Sequence, residues 1–438
     1  MKGKRKNKSN YIKYNSITTM LLMRCMEISI KKPIAIDLFS GAGGLTLGFE
    51  MAGFSVNAAV EMDEFAIKAH LKNFPHCEVV DEDINQVSGE DLLKILKVNQ
   101  GEVDVIIGGP PCQGFSLAGK RSLDDVRNEL LSQYARIVLE VMPKFFVMEN
   151  VKGLLSYKSG EVLQSFISNM SKHYSIISPV KVLNSADFGV PQSRERLFII
   201  GVRLDLNYKI EYPSATHIRP SDARYLFHPI YKNHASEEKS GELLYCPTVA
   251  DAINDLPNPD LYSELIEGDT IENIIEGEYL SSYAQVMRKS IQLEDDQSTP
   301  RSDWQMNLIT NTKRTKHDQR IIKEFMELKQ GELHKSRRKR LEANGLSPTI
   351  RAGTKSDKGS YTALRPIHYK LPRVITVREA ARLMSFPDWM IFHETKWHGF
   401  RLVGNAVPPL LARAVAKIIY DVIQKGTTTR KELVYEGT

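Results

Sequence analysis

Val103-Asp-Val-Ile-Ile-Gly-Gly-Pro-Pro-Cys-Gln-Gly-Phe-Ser116 reads as a short β-branched strand broken by a turn. An apolar run of this length, rich in valine and isoleucine, suits a buried parallel strand. Gly-Gly-Pro-Pro ends it, because proline has no amide hydrogen for a sheet ladder and glycine lets a ligand come close to the backbone. Cys112 follows at once. In an α/β sheet, ligands and reactive groups gather at the carboxyl ends of the strands. A thiol there works as the thiolate, and its ordinary pKa of about 8.5 falls at a nest of backbone amides or a helix start. A small buried thiol is the bland alternative, but the flanking prolines and glycines build a loop rather than fill a core. Cys112 therefore reads as a nucleophile.

Outward from this stretch, strands and helices alternate. Pro33-Ile-Ala-Ile-Asp-Leu38 is another short apolar strand, and Phe39-Ser-Gly-Ala-Gly-Gly44 after it is a Gly-rich turn. The next helix carries Leu45, Gly48, Phe49 and Ala52 on one face, with Gly53 as its stop. Residues 56–60 form a strand ending at Glu61, and Asp63 is placed to cap the following helix. Residues 77–80 give a strand with Asp83 just beyond, 127–142 a helix, and 145–148 a strand ending in Glu149-Asn150. Strands are also expected at 180–183 and 197–201. This alternation predicts a parallel, three-layer α/β sheet.

Past Leu204 the periodicity fades. Residues 206–372 are rich in proline and polar groups, acidic over 251–278 and basic over 313–320 and 334–340. An irregular second domain is expected there, its basic clusters serving as solvated faces or as phosphate contacts. An amphipathic helix at 376–383, a Gly404-Asn-Ala-Val-Pro-Pro409 turn and a helix through 422 close the chain. The expected division is a flexible basic leader at 1–32, a catalytic domain at 33–205, the irregular domain at 206–372 and a returning segment at 373–438.

Composition bounds the function. A length of 438 residues suggests more than one domain, and a net charge of +6 permits a polyanionic partner without requiring one. Cys25, Cys77, Cys112 and Cys246 include no Cys-x-x-Cys pair, so neither a disulfide framework nor a zinc module is indicated. A reducing cytosol fits that usage. No apolar run approaches the ~18 residues of a membrane span. The stretch 18–26 is broken by Arg24 and makes a poor signal peptide, and Met20, Met23 and Met26 are alternative starts to Met1. No His/Cys cluster offers a metal site.

The Gly-rich turn is ambiguous by itself. Gly41-Ala-Gly43 with a carboxylate, Glu61, at the end of the next strand resembles a dinucleotide fingerprint. Its third glycine is adjacent, at Gly44, and that crowding favours a nucleoside cofactor with no pyrophosphate to cradle. S-adenosylmethionine (AdoMet) fits, with Glu61 and Asp83 as acceptors for its ribose and adenine. A nicotinamide dinucleotide remains open at this point.

Taken in order, the strand ends present a Gly loop, Glu61, Asp83, Pro-Cys112 and Glu149-Asn150. With these residues the chain resembles the DNA cytosine-5 methyltransferases. Asp37-Leu-Phe-Ser-Gly-Ala-Gly-Gly44, Gly109-Pro-Pro-Cys-Gln113, Met148-Glu-Asn150, Gln192-Ser-Arg-Glu-Arg196, residues 378–387 and Gly404-Asn-Ala-Val-Pro-Pro409 match that family's motifs in order. The match covers residues 33 to about 205 and 373 to about 423. The resemblance implies an AdoMet-dependent, Rossmann-like methyltransferase sheet with a smaller irregular target-recognition domain.

It also implies roles. Cys112 would add to C6 of cytosine, Glu149 in its acid form would bind the N3 edge, Arg194 would donate to the base carbonyl, and Arg196 would organise Glu149 or nearby backbone. Asn150 would support the turn. Phe39, Gly41, Glu61, Asp83, Ile84, Pro110, Leu130, Asn405 and Val407 match cofactor-contacting positions. The target base must leave a DNA duplex to be reached, and Gln113, Ser116, Lys120 and Arg121 lie on the loop expected to close over it. Thr349-Ile350 looks like the family's Thr-aliphatic pair in the recognition region, and both are candidate DNA contacts.

The implied enzyme is a bacterial or phage restriction–modification partner, or equally an orphan methyltransferase, that methylates double-stranded DNA and acts as a monomer in the cytoplasm. Three rivals stand beside it. One is the tRNA-methylating branch of the family, whose Cys-Phe-Thr triplet has its nearest counterpart in Cys246-Pro-Thr248. The others are an NAD-dependent oxidoreductase and a catalytically silent DNA-binding paralogue.

Overall fold

Alternating apolar side chains give the central strands two hydrophobic faces. In the computed structural model, which describes residues 32–111, 126–220, 239–240, 243–272, 280–353 and 364–435, strand β1 (Ile34–Leu38) sends Ala35 into one core and Ile36 and Leu38 into the other. β4 (Val105–Gly108), β5 (Phe145–Val151) and β8 (Glu195–Arg203) alternate in the same way. A sheet that is apolar on both sides must be covered on both, and that requirement produces three layers. Residues 33–438 form one compact unit.

The remaining strands of the main sheet are β2 (Ser55–Glu61), β3 (Glu78–Asp81), β6 (Tyr174–Ile176) and β7 (Lys181–Asn184). Their order is β3-β2-β1-β4-β5-β8-β6, with β7 also paired to β8. The pairings from β3 through β5 are parallel. Those of β8 with β5, β6 and β7 are antiparallel. The parallel sheet expected from the sequence holds from β3 through β5 and gives way to antiparallel pairing around β8. β7 leads to β8 through residues 185–194, which hold only a 3-10 turn at Ser185–Phe188, and parallel pairing needs a longer crossover.

β1 lies between β2 and β4. The chain leaves β1 toward one edge of the sheet and returns on its other side, so the carboxyl ends of β1 and β4 flank a topological switch point. Ligands bind at such crevices.

Helix α1 (Gly44–Met51) is buried along its whole length because α11 (Pro409–Tyr435) packs across it. Gly48 marks the closest approach, where an added Cβ would come 2.3 Å from Ala412 Cβ. Asp63 caps α2 (Glu64–Asn73), its carboxylate accepting from the amides of Phe65 and Ala66. The opposite face is covered by α3 (Gly89–Leu96), α4 (Val126–Val141) and α5 (Glu161–Met170).

From residue 206 the regular structure described is sparse. A three-stranded sheet joins β9 (His217–Ile218), β10 (Lys239–Ser240) and β11 (Leu243–Tyr245), and β12 (Ile271–Glu272) pairs with β13 (Leu308–Ile309). The helices here are α6 (Val249–Ile253), α7 (Ser282–Met287) and α8 (Gln319–Glu327). Irregular backbone leaves carbonyls unpaired, and buried ones need donors. Arginines supply them. Arg340 donates to the carbonyls of Phe325, Leu328, Tyr369 and Lys370, so this member of the basic run 334–340 is an interior brace rather than a solvated cation.

The helix expected at 376–383 forms as α9 (Val377–Leu383), capped by Thr376, and then α10 (Lys396–Asn405) leads to α11. Its amphipathic pattern is not a solvent face. Arg378 and Arg382 are fully buried, Arg382 in ion pairs with Asp255 and Asp388 and Arg378 on the carbonyls of Thr310, Pro387 and Met390. The sequence also understates one apolar stretch. Residues 396–426 are long and apolar enough for a membrane span, but 61% of the apolar window is buried, as in a core helix.

Candidate active site

The turn after β1 is built by backbone constraints. Phe39 adopts a positive φ of 60° and its amide donates to the Val60 carbonyl at 2.9 Å. A bulky residue held there signals a loop fixed by its surroundings. Glu61, at the end of β2, fixes it further. One carboxylate oxygen accepts from Gly41 N at 2.9 Å, and the other from Met62 N and Asp63 N. Burial raises the pKa of this carboxyl, against the pull of those three amides.

The three glycines of the loop do different work. An added Cβ on Gly43 would sit 2.3 Å from the Phe74 ring, and one on Gly44 would sit 2.3 Å from the Val407 carbonyl. Both are packing glycines. Gly41, with φ of 56°, would meet nothing within 4 Å. Its missing side chain therefore opens onto space beside Glu61. Asp37 Oδ1 and Ser40 Oγ are buried here with no hydrogen-bond partner. Asp37 is fully buried, its other oxygen accepting from Thr46 Oγ1 at 2.7 Å, and burial pushes its carboxyl up to about 7.

This polar, glycine-lined crevice fits AdoMet. A carboxylate lies at the end of β2, and Asp83 and the buried Ile84 follow β3. The segment carrying the exposed Asn405 and the buried Val407 docks on Gly44. Leu130 is half-buried beside the second core. Pro110 is buried, and its carbonyl accepts from Asn150 Nδ2 at 3.3 Å.

Glu149 stands at the carboxyl end of β5. Its strand partner is Phe198, and Val151 pairs with Arg196, so Arg196 is the diagonal neighbour of Glu149 on one face of the sheet. Arg196 Nε lies 2.8 Å from Glu149 Oε1. An added Cβ on Gly109 would come 2.9 Å from Glu149 Oε2, so the missing side chain at Gly109 makes room for the carboxyl. Burial raises the Glu149 pKa, and Arg196 and then Arg194 pull it back only in part. A carboxyl whose proton affinity is raised beside donors is suited to acid catalysis.

Arg194 sits differently from the expectation of a donor to the base. It is 1% exposed, and its terminal nitrogens donate to the carbonyls of Ile350 at 3.0 Å, Gly404 at 2.7 Å and Ala406 at 2.9 Å. The geometry makes it a clamp that ties β8 to the 350 and 404–406 segments. Arg196 is the member of the pair that meets Glu149. Ile350 is also corrected: its side chain is 3% exposed and packs in the core, while the adjacent Thr349 is exposed and donates to the Ser193 carbonyl at 2.8 Å. Cys112, Gln113, Ser116, Lys120 and Arg121 lie outside the described residues.

Sequence reasoning missed Asp37 and the glycine-filling Phe74. Asp37 opens the Gly-loop motif, which by itself gives it no role, and Phe74 has no local signal because it acts through a glycine brought close only by the fold. Among the described residues no group of His, Cys, Asp and Glu could hold a metal ion. Cys246 is buried, its thiol donating to the Val190 carbonyl, and Thr248 is spent capping α6 with Asp251. That Cys-Pro-Thr run is therefore interior structure and no reactive triplet.

The model of the C-5 cytosine-specific DNA methylase family matches residues 34–421. Type II methyltransferase M.XorII of Xanthomonas oryzae pv. oryzae is 42% identical over 93% of this chain and 89% of its own length. Type II methyltransferase M.DdeI of Desulfomicrobium norvegicum is 34% identical over 88% of each. A solved E. coli protein, described as a DNA modification methyltransferase encoded within a prophage, superposes with a TM-score of 0.69 at 33% identity, covering 90% of this chain and all of that one. These matches set aside the dinucleotide oxidoreductase. With a Gly-rich crevice at the switch point and a buried glutamate paired to arginine beside it, the chain belongs to the C-5 cytosine-specific DNA methylase family and is a DNA cytosine methyltransferase.

Proposed function

We propose that this enzyme methylates C5 of one cytosine within a short specific sequence of double-stranded DNA, with AdoMet as donor and Cys112 as nucleophile. The observation that carries the reading is the Glu149–Arg196 pair at 2.8 Å, seated over Gly109 on the loop that leads to Cys112. AdoMet, when bound, supplies an electrophilic methyl group on a sulfonium. The Gly41 backbone, Glu61, Asp83 and Ile84 would hold it, with Phe39, Pro110, Leu130, Asn405 and Val407 around them.

The protein's own work is to make C5 nucleophilic. The Cys112 thiolate bonds to C6 and places an electron pair in the ring. Glu149, whose proton affinity burial raises, donates in its acid form to N3 and stabilises that charge. Arg196 aligns the Glu149 carboxyl and offers a cation beside the base. Loss of the C5 proton to a water or a DNA phosphate after methylation restores the double bond and expels Cys112 as its thiolate. The cytosine has to swing out of the duplex to reach this crevice, at a cost of a few kcal/mol. Gln113, Ser116, Lys120 and Arg121 would close over the DNA, Thr349 would touch its backbone, and residues 206–372 would read the site. A protective role in a type II restriction–modification system is supported by the two type II relatives that span most of this chain.

Bisulfite sequencing of DNA from cells expressing the protein tests this directly. One cytosine should resist conversion in every copy of one short sequence, and Cys112→Ser should abolish that resistance while DNA binding persists. Complete conversion with the intact enzyme would sink the reading.

A further inference from the structure

Several cations of the irregular region and of the segment after it are answered by acids. Arg314 pairs with Asp260, Lys335 and His334 with Glu324, Lys339 with Glu342, and Arg373 with Glu379. Four are not. Among the described residues, Lys313, Arg338, Arg365 and Lys396 make no ion pair and bond only neutral acceptors. Lys313 Nζ donates to the Glu267 carbonyl at 2.6 Å, and Arg338 to Ser336 Oγ at 2.8 Å. Lys396 Nζ donates to the Arg314 carbonyl at 2.9 Å and Thr315 Oγ1 at 3.2 Å. The Nε atoms of Arg338 and Arg365 are buried with no partner at all.

Lys313, Arg365 and Lys396 converge at the start of α10, and the charge of Arg338 reaches Arg365. Lys396 and Phe400 are four residues apart on α10 and share a face, and the Arg365 guanidinium lies over the Phe400 ring at 4.1 Å from its centroid. The bonds of Lys396 to residues 314 and 315 bring it beside Lys313. The mutual repulsion is felt. Burial, then Arg338, pushes Arg365 down to about 10, and burial, then Arg365 and Lys313, lowers the pKa of Lys396. Gathering like charges beside an aromatic ring, with no acid paired to any of the four among the described residues, is unfavourable in the protein alone, and a polyanion relieves it.

We propose that Lys313, Arg338, Arg365 and Lys396 form a binding patch for the sugar-phosphate backbone of DNA. The inference rests on the DNA methyltransferase reading and extends it to a site remote from the base. α10 joins the two. Lys396 begins it, and Gly404, whose carbonyl Arg194 clamps, lies near its end, which sets the patch ~12 Å along the helix from that clamp. Phosphate contacts fix register and orientation without reading sequence, so the patch would position the duplex while other residues choose the site.

The test measures DNA affinity against salt for the full chain, with a short duplex of arbitrary sequence, for wild type, Lys313→Gln/Lys396→Gln and the control Lys335→Gln/Lys339→Gln. Each lost phosphate contact lowers the slope of log K against log salt by ~0.9, so the first variant should lose about 2 and the control nothing. The loss should be equal on any duplex sequence. A first variant with the wild-type slope overturns the patch. Should the double variant melt early, Lys313→Gln alone decides, with an expected fall of about 1 and an unchanged slope counting against the patch. Transfer of tritiated methyl groups by wild type to genomic DNA is run in parallel, and its absence would strike the proposed function while leaving the slope comparison to judge the patch.

Discussion

Arg196 and Glu149 meet across two antiparallel strands at 2.8 Å, yet the carboxyl keeps a raised pKa because burial outweighs the cation. The acid form therefore persists to higher pH than an exposed glutamate allows. Glu149→Gln should lower kcat by a factor of ~10²–10⁴, the usual worth of a positioned acid. Arg196→Met removes the opposing charge, so the Glu149 pKa should rise further and the alkaline limb of the kcat/KM profile should move to higher pH. A limb that stays in place would assign the titration to another group.

Arg194 differs from its neighbour in what its loss exposes. Arg194→Met leaves three buried carbonyls without donors, at about 1–3 kcal/mol for each unsatisfied group. Its melting temperature should fall sharply, whereas Arg196→Met should melt near wild type and lose activity. Equal melting temperatures would refute the clamp.

Asp37 predicts a pH dependence of stability. In the native state it holds its proton up to about pH 7, while the unfolded chain releases it near the ordinary value of 3.8. The native state binds more protons across that window, so this group makes stability fall as pH rises through it, by at most ~4 kcal/mol. Asp37→Asn keeps an acceptor for Thr46 and removes the titration. Its thermal stability between about pH 4 and pH 7 should vary less than that of wild type, as followed by calorimetry without ligand.

Gly41 and Gly43 separate binding from packing. Gly43→Ala drives a methyl group into the Phe74 ring at 2.3 Å and should destabilise the fold. Gly41→Ala meets open space and carries only the left-handed backbone strain, about 1–2 kcal/mol. It should instead weaken AdoMet binding, as read by isothermal titration calorimetry. Unaltered affinity in Gly41→Ala would remove the cofactor from that crevice.

Much of this architecture is legible in local pattern. The runs at residues 34–38, 55–61 and 105–108 are short, apolar and followed by glycine or a carboxylate, and each forms the strand its composition predicts. The cap at Asp63 and the stop at Gly53 follow from single side chains and neighbouring amides. The antiparallel edge is less legible, because apolar alternation is the same in both strand directions. Among the site residues, Glu149 is readable as a strand-end acid, but its proton affinity is a property of burial that the sequence does not state.

The sequence by itself determined the order of strands and helices, the Gly-rich turn, the Pro-Cys loop and the set of acids at strand ends, since these depend on residues close together in the chain. Only the tertiary structure decided which arginine serves which purpose. Arg194 and Arg196 are indistinguishable as a local pattern, being two residues apart with alternate spacing. Their fates diverge because the carbonyls of Ile350, Gly404 and Ala406 arrive from far along the chain to claim one guanidinium, while the register of β5 against β8 delivers Glu149 to the other.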